Sequence, residues 1–219
     1  MSTVESKKTQ KQKILFLAQF SMLLAIEAIV SFTPLGSLPA IGPVVATLSH
    51  IPVIITALML GTAAGMAMGF FFGLFSFLVM TFTPPGPTAF IFTPFYSFGE
   101  FKGNAWSLVI CFAPRILIGL VAGLSYIVLK KALAESKAKN ALAYGISGFL
   151  GSMTNTLLVL GGVYLFFGRS FASAIGAEYE VLLGIIGAMV LTSGLPEAVL
   201  AAFLAYAVCT PLKKALQKI

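Results

Sequence analysis

Long apolar stretches alternate with short polar ones along most of the chain. The clearest stretch, 142–168, has no charged residue, and at the helical rise of 1.5 Å per residue its length of roughly 40 Å exceeds the thickness of a bilayer core. Backbone polar groups must be paired inside the hydrocarbon, so such stretches fold as helices. The pattern predicts six transmembrane helices, called here spans one to six, over 14–32, 44–60, 62–82, 106–133, 142–168 and 181–210.

Glycine and proline predict irregular places within these spans. Span two is short and contains Pro52, so we expect it to be kinked, tilted or partly unwound at its outer end. Span six is interrupted by Gly194 and Pro196. Span three has three glycines spaced four residues apart, Gly65, Gly69 and Gly73. This spacing exposes backbone on one face and permits close contact with another helix.

The composition agrees with a membrane protein. Hydrophobic residues make up 58% of the chain and charged residues only 10%, whereas charged residues are about a quarter of a soluble domain. The sequence therefore predicts an all-α, multi-pass integral protein of the cell membrane. The net charge of +7 does not indicate nucleic-acid binding, because the basic residues lie between apolar spans and not on one soluble domain.

The basic residues also predict the orientation of the chain. With six spans both termini lie on one side, where eleven lysines fall, and only Lys102 and Arg169 fall opposite. Because basic loops are retained in the cytoplasm, we expect cytoplasmic termini. The predicted organisation is a basic N-terminus at 1–13, one membrane domain at 14–210 with outer loops near 34–43, 83–105 and 169–180, and a basic tail at 211–219.

The loop between spans three and four is unusually aromatic. Residues 83–105 include four prolines together with Phe90, Phe92, Phe95 and Tyr96. An ordinary solvated connection is neither this long nor this apolar. We expect the loop to close over an outward pocket as a lid; the alternative is an aromatic belt at the membrane interface.

Four polar residues fall near the middle third of their spans: Glu27, Arg115, Asn155 and Glu197. A charged side chain there costs at least roughly 2.5 to 3.5 kcal/mol, so these residues should pair with one another or line a polar cavity. In a structural interpretation, Arg115 pairs with Glu27 or Glu197 and fixes the bundle. In a functional interpretation, its planar guanidinium binds the carboxylate of a ligand.

Asn155 and its neighbour Thr154 are further candidates for ligand contact. An amide offers two donors and an acceptor without needing a counter-ion, so Asn155 is well suited to a site within the membrane. His50 is the only histidine and lies near the outer end of span two. A lone histidine is more often a satisfied interior residue, but this position leaves it as a candidate contact.

Several enzyme classes are excluded by missing residues. The chain contains no aspartate, which removes paired-aspartate proteolysis and most magnesium–phosphate chemistry. It has no HExxH, GxSxG-like or Walker A sequence. Cys111 and Cys209 both lie in apolar spans, so we expect neither a disulfide nor a metal site. We therefore expect no catalytic activity and no cofactor.

Four stretches resemble the substrate-binding S components of energy-coupling factor (ECF) vitamin transporters. They are TLSHIPVIITALMLG, FAPRILIGLVAGL, GSMTNTLLVLGGVYLFFG and LTSGLPEAVLAA, in spans two, four, five and six. The similarity covers nearly the whole chain and is greatest to the pantothenate-type branch. Related S components for pyridoxine-like compounds, cobalamin or folate share much of the pattern, so the resemblance does not by itself identify the vitamin.

The resemblance implies a noncatalytic subunit that binds a vitamin near the outer face and then docks on a membrane scaffold, the T component, carrying two ATPases. In the family the S component topples in the membrane to release its ligand inward, and the loops after spans one and three gate the site. Span one carries a small-residue docking motif, usually two alanines. The matching positions here are Ser21 and Ala25, with Ala28 one turn on.

Two other functions compete with this one. A self-sufficient secondary transporter would use Glu27 or Glu197 as a proton carrier, but such transporters usually contain inverted repeats, and no internal repeat is evident. A purely structural membrane subunit would use the midplane polar residues only for packing. Alanine at Asn155 and Arg115 would then change stability without changing any ligand affinity.

Overall fold

A computed structural model describes residues 3–33, 48–133 and 137–216. Its helices are α1 (Thr3–Phe32), α2 (His50–Leu60), α3 (Thr62–Phe82), α4 (Ala105–Ala132), α5 (Lys137–Ala174), α6 (Leu182–Met189) and α7 (Leu195–Leu216). The loop after α3 contains a short 3₁₀ helix, Pro87–Ile91, and a two-stranded antiparallel hairpin of β1 (Ser97–Phe98) and β2 (Phe101–Lys102). The helical class expected from the sequence is confirmed.

Five helical segments are long and apolar enough to cross a membrane within the described ranges: Gln10–Phe32, Thr62–Phe82, Ala105–Ala132, Ala141–Ala174 and Tyr179–Lys213. They correspond to spans one, three, four, five and six. The protein is therefore a multi-pass membrane protein. Span three has the predicted bounds, Thr62–Phe82. The outer loop predicted at 34–43 lies outside the described residues.

Span two differs most from its predicted form. Residues 48 and 49 are not helical, and α2 has only 11 residues, which gives about 16 Å, roughly half the hydrocarbon thickness. Pro52 lies in its first turn, where a missing N–H breaks no helical hydrogen bond. Nine of its residues, from His50 to Leu58, are buried. α2 is thus a short central helix surrounded by the longer ones.

The glycines of span three pack directly against α4. A Cβ added to Gly69 would meet the carbonyl of Arg115 and lie 2.9 Å from the Cα of Ile116. A Cβ on Gly119 of α4 would meet the backbone of Gly65. Because backbone touches backbone at both levels, the expected close helix contact is confirmed, and it fixes the position of Arg115 relative to α3.

Spans five and six are longer and more irregular than predicted. α5 continues to Ala174, so part of the predicted polar loop at 169–180 is helical, and the turn that follows contains Gly176 at φ +71°. A π-helical segment, Val190–Gly194, separates α6 from α7. Pro196 lacks an N–H, so the regular hydrogen-bond ladder cannot pass through it, and the predicted interruption is observed here.

Two buried apolar clusters form the interior. One surrounds α2 and includes Ile54, Met68 and Ile118. The other joins the loop after α3 to α5 and α6, and includes Phe90 and Phe171. Residues of both clusters line a single cavity, described next.

Candidate substrate-binding site

A cavity of about 420 Å³ lies among α1, α3, α4, α5, α7 and the loop after α3. This volume is within the range of small-molecule sites, which combine apolar walls with a few polar groups. The larger polar side chains on its wall are Arg115, Asn155 and Glu197. Six hydroxyl side chains join them: Ser31, Ser49, Ser76, Thr88, Thr156 and Ser193.

Pro114 explains how Arg115 is held. A proline cannot donate to the carbonyl four residues earlier, which here is that of Ile110. The Nη1 group of Arg115 donates to this carbonyl oxygen at 2.7 Å. The proline therefore leaves the carbonyl of Ile110 free of a helical hydrogen bond, and this carbonyl orients the neighbouring guanidinium. This effect is separate from any bend that the proline introduces in α4.

Two aromatic rings enclose the same guanidinium. Its Cζ lies 5.4 Å from the ring centroid of Phe72 and 5.0 Å from that of Phe92. The Nε of Arg115 is buried and has no hydrogen-bond partner among the described residues. A fixed cation with an unused donor is suited to an anionic ligand group, because the cost of ordering the side chain is met before binding.

Asn155 lies on α5 and lines the cavity. Its Oδ1 is buried and lacks a hydrogen-bond partner in the described part of the chain. Thr156, the next residue, also lines the cavity, and its hydroxyl donates to the carbonyl of Ser152 over a long 3.5 Å. This part of the wall offers acceptors to a ligand that carries hydroxyl or amide N–H groups.

Glu197 is placed by the irregular part of span six. It lies in the first turn of α7, directly after the π-helical segment, and Ser193 and Gly194 of that segment also line the cavity. Gly194 is required by packing, because an added Cβ would lie 3.3 Å from the Cβ of Thr156. Span six thus meets span five at the site itself.

The other charged candidate, Glu27, does not line the described cavity but contacts a residue that does. It is fully buried, and its Oε1 accepts a hydrogen bond of 2.9 Å from the hydroxyl of Ser31, which does line the cavity. Arg115 and Glu197 share the cavity; Glu27 is not among its described lining residues.

Two further candidates stand apart from the cavity. The described lining residues include neither Thr154 nor His50. Thr154 donates its hydroxyl to the carbonyl of Leu150 at 2.7 Å, as helical threonines commonly do. His50 is fully buried at the start of α2. Sequence reasoning missed most of the hydroxyl lining, since single serines within apolar helices give no signal of the direction they face.

The aromatic loop forms one wall of the cavity. Residues 85–89, Ile91 and Phe92 line it. Phe90 points the other way into the buried cluster, where its ring lies 5.8 Å from that of Phe167, and its carbonyl accepts from Ser107 at 2.8 Å. Tyr96 is half-buried and Phe95 is 74% exposed. The four aromatic residues of the predicted lid therefore face three different directions.

The residues of the predicted docking motif lie on the open face of α1. Ser21 and Ala25 are exposed, and Ala28 is half-buried. Only 6% of the apolar part of α1 is buried, against 33–50% for the other long segments. α1 is therefore the long helix with the most surface left for lipid or another protein.

Comparison with known proteins identifies relatives along almost the whole chain. Residues 15–209 match the family model described as "ECF transporter, substrate-specific component". The chain is also 35% identical, over 210 residues, to the pantothenic acid transporter PanT of Lactococcus lactis subsp. cremoris strain MG1363. That alignment covers 95% of this chain and 97% of the relative, so the likeness extends over all the helices that form the cavity.

Proposed function

Since the chain belongs to the family of ECF transporter substrate-specific components, we propose that it is the pantothenate-binding subunit of such a transporter. Members of this family are components of transporters and not enzymes. The observation that carries the choice of ligand is Arg115, a preoriented cation on the wall of a largely apolar cavity.

Pantothenate matches the groups that the cavity offers. It has one carboxylate for Arg115, two hydroxyls and an amide N–H for acceptors such as Asn155 Oδ1, and a gem-dimethyl centre for apolar walls such as Val159 and Leu160. Pyridoxine has no carboxylate to pair with Arg115. Cobalamin greatly exceeds a volume of about 420 Å³. Folate has two carboxylates, whereas the described lining residues include one cation, Arg115.

We assign Arg115, Asn155 and Glu197 to the ligand site, with Phe92 as the lid residue nearest to it. Thr154 and His50 are not assigned to ligand contact, because neither is among the described lining residues and the Thr154 hydroxyl donates to the carbonyl of Leu150. The remaining lid aromatics, Phe90, Phe95 and Tyr96, support the loop or extend it outward.

The direct test is calorimetric titration of the purified protein in detergent. Pantothenate should bind tightly, and its alcohol analogue, in which the carboxylate is replaced by CH₂OH, should bind far more weakly. Pyridoxine, folate and cobalamin serve as controls. Tight binding of one of those vitamins instead of pantothenate would keep the family and overturn the ligand.

The transport step needs partners. We propose that the exposed face of α1 containing Ser21, Ala25 and Ala28 docks on a membrane scaffold subunit carrying two ATPases, in the cell membrane, with both termini cytoplasmic. Ala25→Trp should abolish co-purification with the scaffold and leave pantothenate affinity unchanged. Val199→Trp, at a position of α7 that is 58% exposed, is the matched control. Uptake into vesicles by this chain alone would overturn the need for partners.

A further inference from the structure

Glu27 is an isolated acid in the least buried long helix. α1 has only 6% of its apolar part buried, yet the side chain of Glu27 is fully buried. Its Oε1 accepts from Ser31, and its Oε2 has no hydrogen-bond partner in the described ranges. A carboxyl group in such a place costs free energy, so its retention calls for a role beyond packing.

Ser31 differs from four threonines within the helices. Thr56, Thr81, Thr154 and Thr192 each donate to the backbone carbonyl four residues earlier, at 2.7–2.8 Å. Ser31 donates instead to the side chain of the residue four positions earlier, Glu27. The carboxyl group therefore competes successfully with the helix backbone for this proton.

This contact fixes what Ser31 can do in the cavity. A serine hydroxyl has one proton and two lone pairs, and its proton is already used by Glu27. Ser31 lines the cavity, so the only capacity it retains is that of an acceptor. A ligand group that contacts it must therefore be a donor.

We propose that Ser31 accepts a hydrogen bond from a hydroxyl or amide N–H group of the ligand, and that Glu27 is the positioning residue that keeps it an acceptor. The inference rests on the proposed pantothenate-binding function and adds that different parts of the site select different groups of the ligand. Arg115 takes the anionic end of the ligand, and the Glu27–Ser31 pair selects a donor elsewhere along it. A ligand with an acceptor at that place would bind less tightly, because its lone pairs would face the lone pairs of the Ser31 oxygen.

The test removes each donor of pantothenate in turn. The probes are pantothenate and its 2-deoxy, 4-deoxy and N-methyl analogues, which lack one hydroxyl, the other hydroxyl and the amide N–H. The proteins are wild type, Ser31→Ala, Glu27→Gln and Glu27→Leu. Ser125→Ala is the matched control, because Ser125 donates to the carbonyl of Ala122 at 3.1 Å and does not line the described cavity.

The contact should be revealed by the analogue that lacks the donor bonded to Ser31. Wild type should bind that analogue about tenfold less tightly than pantothenate, and Ser31→Ala should bind the two equally, since one hydrogen bond is worth about a factor of ten. Ser125→Ala should keep the wild-type ratio of the two affinities, that for pantothenate divided by that for the analogue. Equal losses in Ser31→Ala for pantothenate and all three analogues would overturn the proposal.

The two substitutions of Glu27 separate positioning from packing. Glu27→Gln keeps a side-chain oxygen that accepts from Ser31, so the tenfold ratio should survive. Glu27→Leu fills a similar volume without an acceptor. The Ser31 hydroxyl should then rotate to donate to the backbone as the threonines do, which turns its lone pairs away from the ligand donor and reduces the ratio severalfold. An unchanged ratio in Glu27→Leu would remove Glu27 from the proposal.

Failures of the two proposals are distinguishable. If wild type does not bind pantothenate, the proposed function fails and this inference fails with it. If wild type binds pantothenate and all three analogues equally, only the inference is overturned. That comparison uses wild type alone, so it can overturn the inference even if Ser31→Ala does not fold. Repeating it with Asn155→Ala shows whether a loss seen for one analogue belongs to Asn155 instead of Ser31.

Discussion

The ring of Phe92 lies over the guanidinium of Arg115, with the ring centroid 5.0 Å from Cζ. Phe92 ends the 3₁₀ turn of the loop after α3, and Arg115 lies within α4. The loop therefore contacts the cation directly. The ring of Phe72 on α3 supports the guanidinium at 5.4 Å, so one side of this enclosure is fixed.

Substitutions of Arg115 should weaken the binding of an anionic ligand, and the loss should be larger when both the charge and the hydrogen-bond donors are removed. A hydrogen bond to a charged group contributes about 1.5–3 kcal/mol, so Arg115→Ala should reduce pantothenate affinity by about 10- to 150-fold. Arg115→Lys keeps the charge but cannot reproduce the planar fork, and should lose an intermediate amount. Calorimetric titration measures both.

The alcohol analogue of pantothenate serves as the control for Arg115. Wild type and Arg115→Ala should bind it with similar affinity, because the partner of the cation is already missing. Arg169→Ala should leave pantothenate affinity unchanged, since Arg169 is exposed and lies over Tyr179. An equal loss for both ligands in Arg115→Ala would show that Arg115 acts only through folding.

Phe92 should control how quickly the ligand leaves. Phe92→Ala opens the loop wall above Arg115, so the dissociation rate constant should rise about tenfold with a smaller effect on association. Phe95→Ala is the matched control, because Phe95 belongs to the same loop but is 74% exposed. Stopped-flow displacement of bound pantothenate measures the rates. Equal rates in the two variants would contradict a lid function for Phe92.

Asn155 and Thr154 are neighbours in sequence with different surroundings. Asn155→Ala removes an unpartnered buried acceptor from the cavity wall and should reduce ligand affinity about tenfold, the value of one hydrogen bond. Thr154→Ala removes a hydroxyl that bonds only to its own helix and should change affinity less than twofold. Titration of the pair compares them, and the reverse order would contradict the assigned site.

Glycine at the contact of α3 and α4 should be essential for stability. Gly119→Ala places a Cβ against the backbone of Gly65, and overpacking of this kind costs about 1–3 kcal/mol. Gly187→Ala is the control, because nothing lies within 4 Å of its added Cβ. Thermal unfolding in detergent should show a lower Tm for Gly119→Ala alone, and an unchanged Tm would contradict the close contact.

A cluster of Tyr126, Tyr144 and Lys213 should stabilise the end of the bundle away from the loop. The two tyrosine rings stack at 4.8 Å, their hydroxyls lie 3.1 Å apart, and Nζ of Lys213 donates to the hydroxyl of Tyr126 at 3.1 Å. Tyr126→Phe loses both bonds and should lower the free energy of unfolding by about 1–2 kcal/mol. Tyr206→Phe, at a position 45% exposed, should have little effect on Tm.

The class of the protein and most of its helices can be predicted from the sequence alone. Hydrophobic length is a local property, so α3 has its predicted bounds, and the interruption near Pro196 follows from the missing N–H of one residue. Arg115, Asn155 and Glu197 were identified as candidates from depth alone, because an isolated polar group in hydrocarbon must have a reason to be there. The same local arguments failed for span two, since the burial of α2 is a property of its neighbours.

Which polar residues face one another depends on how the helices pack. Asn155 and Thr154 are adjacent, but a helix turns 100° between them, and the packing of α5 against α4 and α7 directs only Asn155 into the cavity. The carbonyl of Ile110 as the partner of Arg115, and Glu27 as the partner of Ser31, depend on side-chain directions. Close backbone contacts such as that of Gly65 with Gly119 join residues far apart in sequence, and they fix where α4, with Arg115, lies against α3.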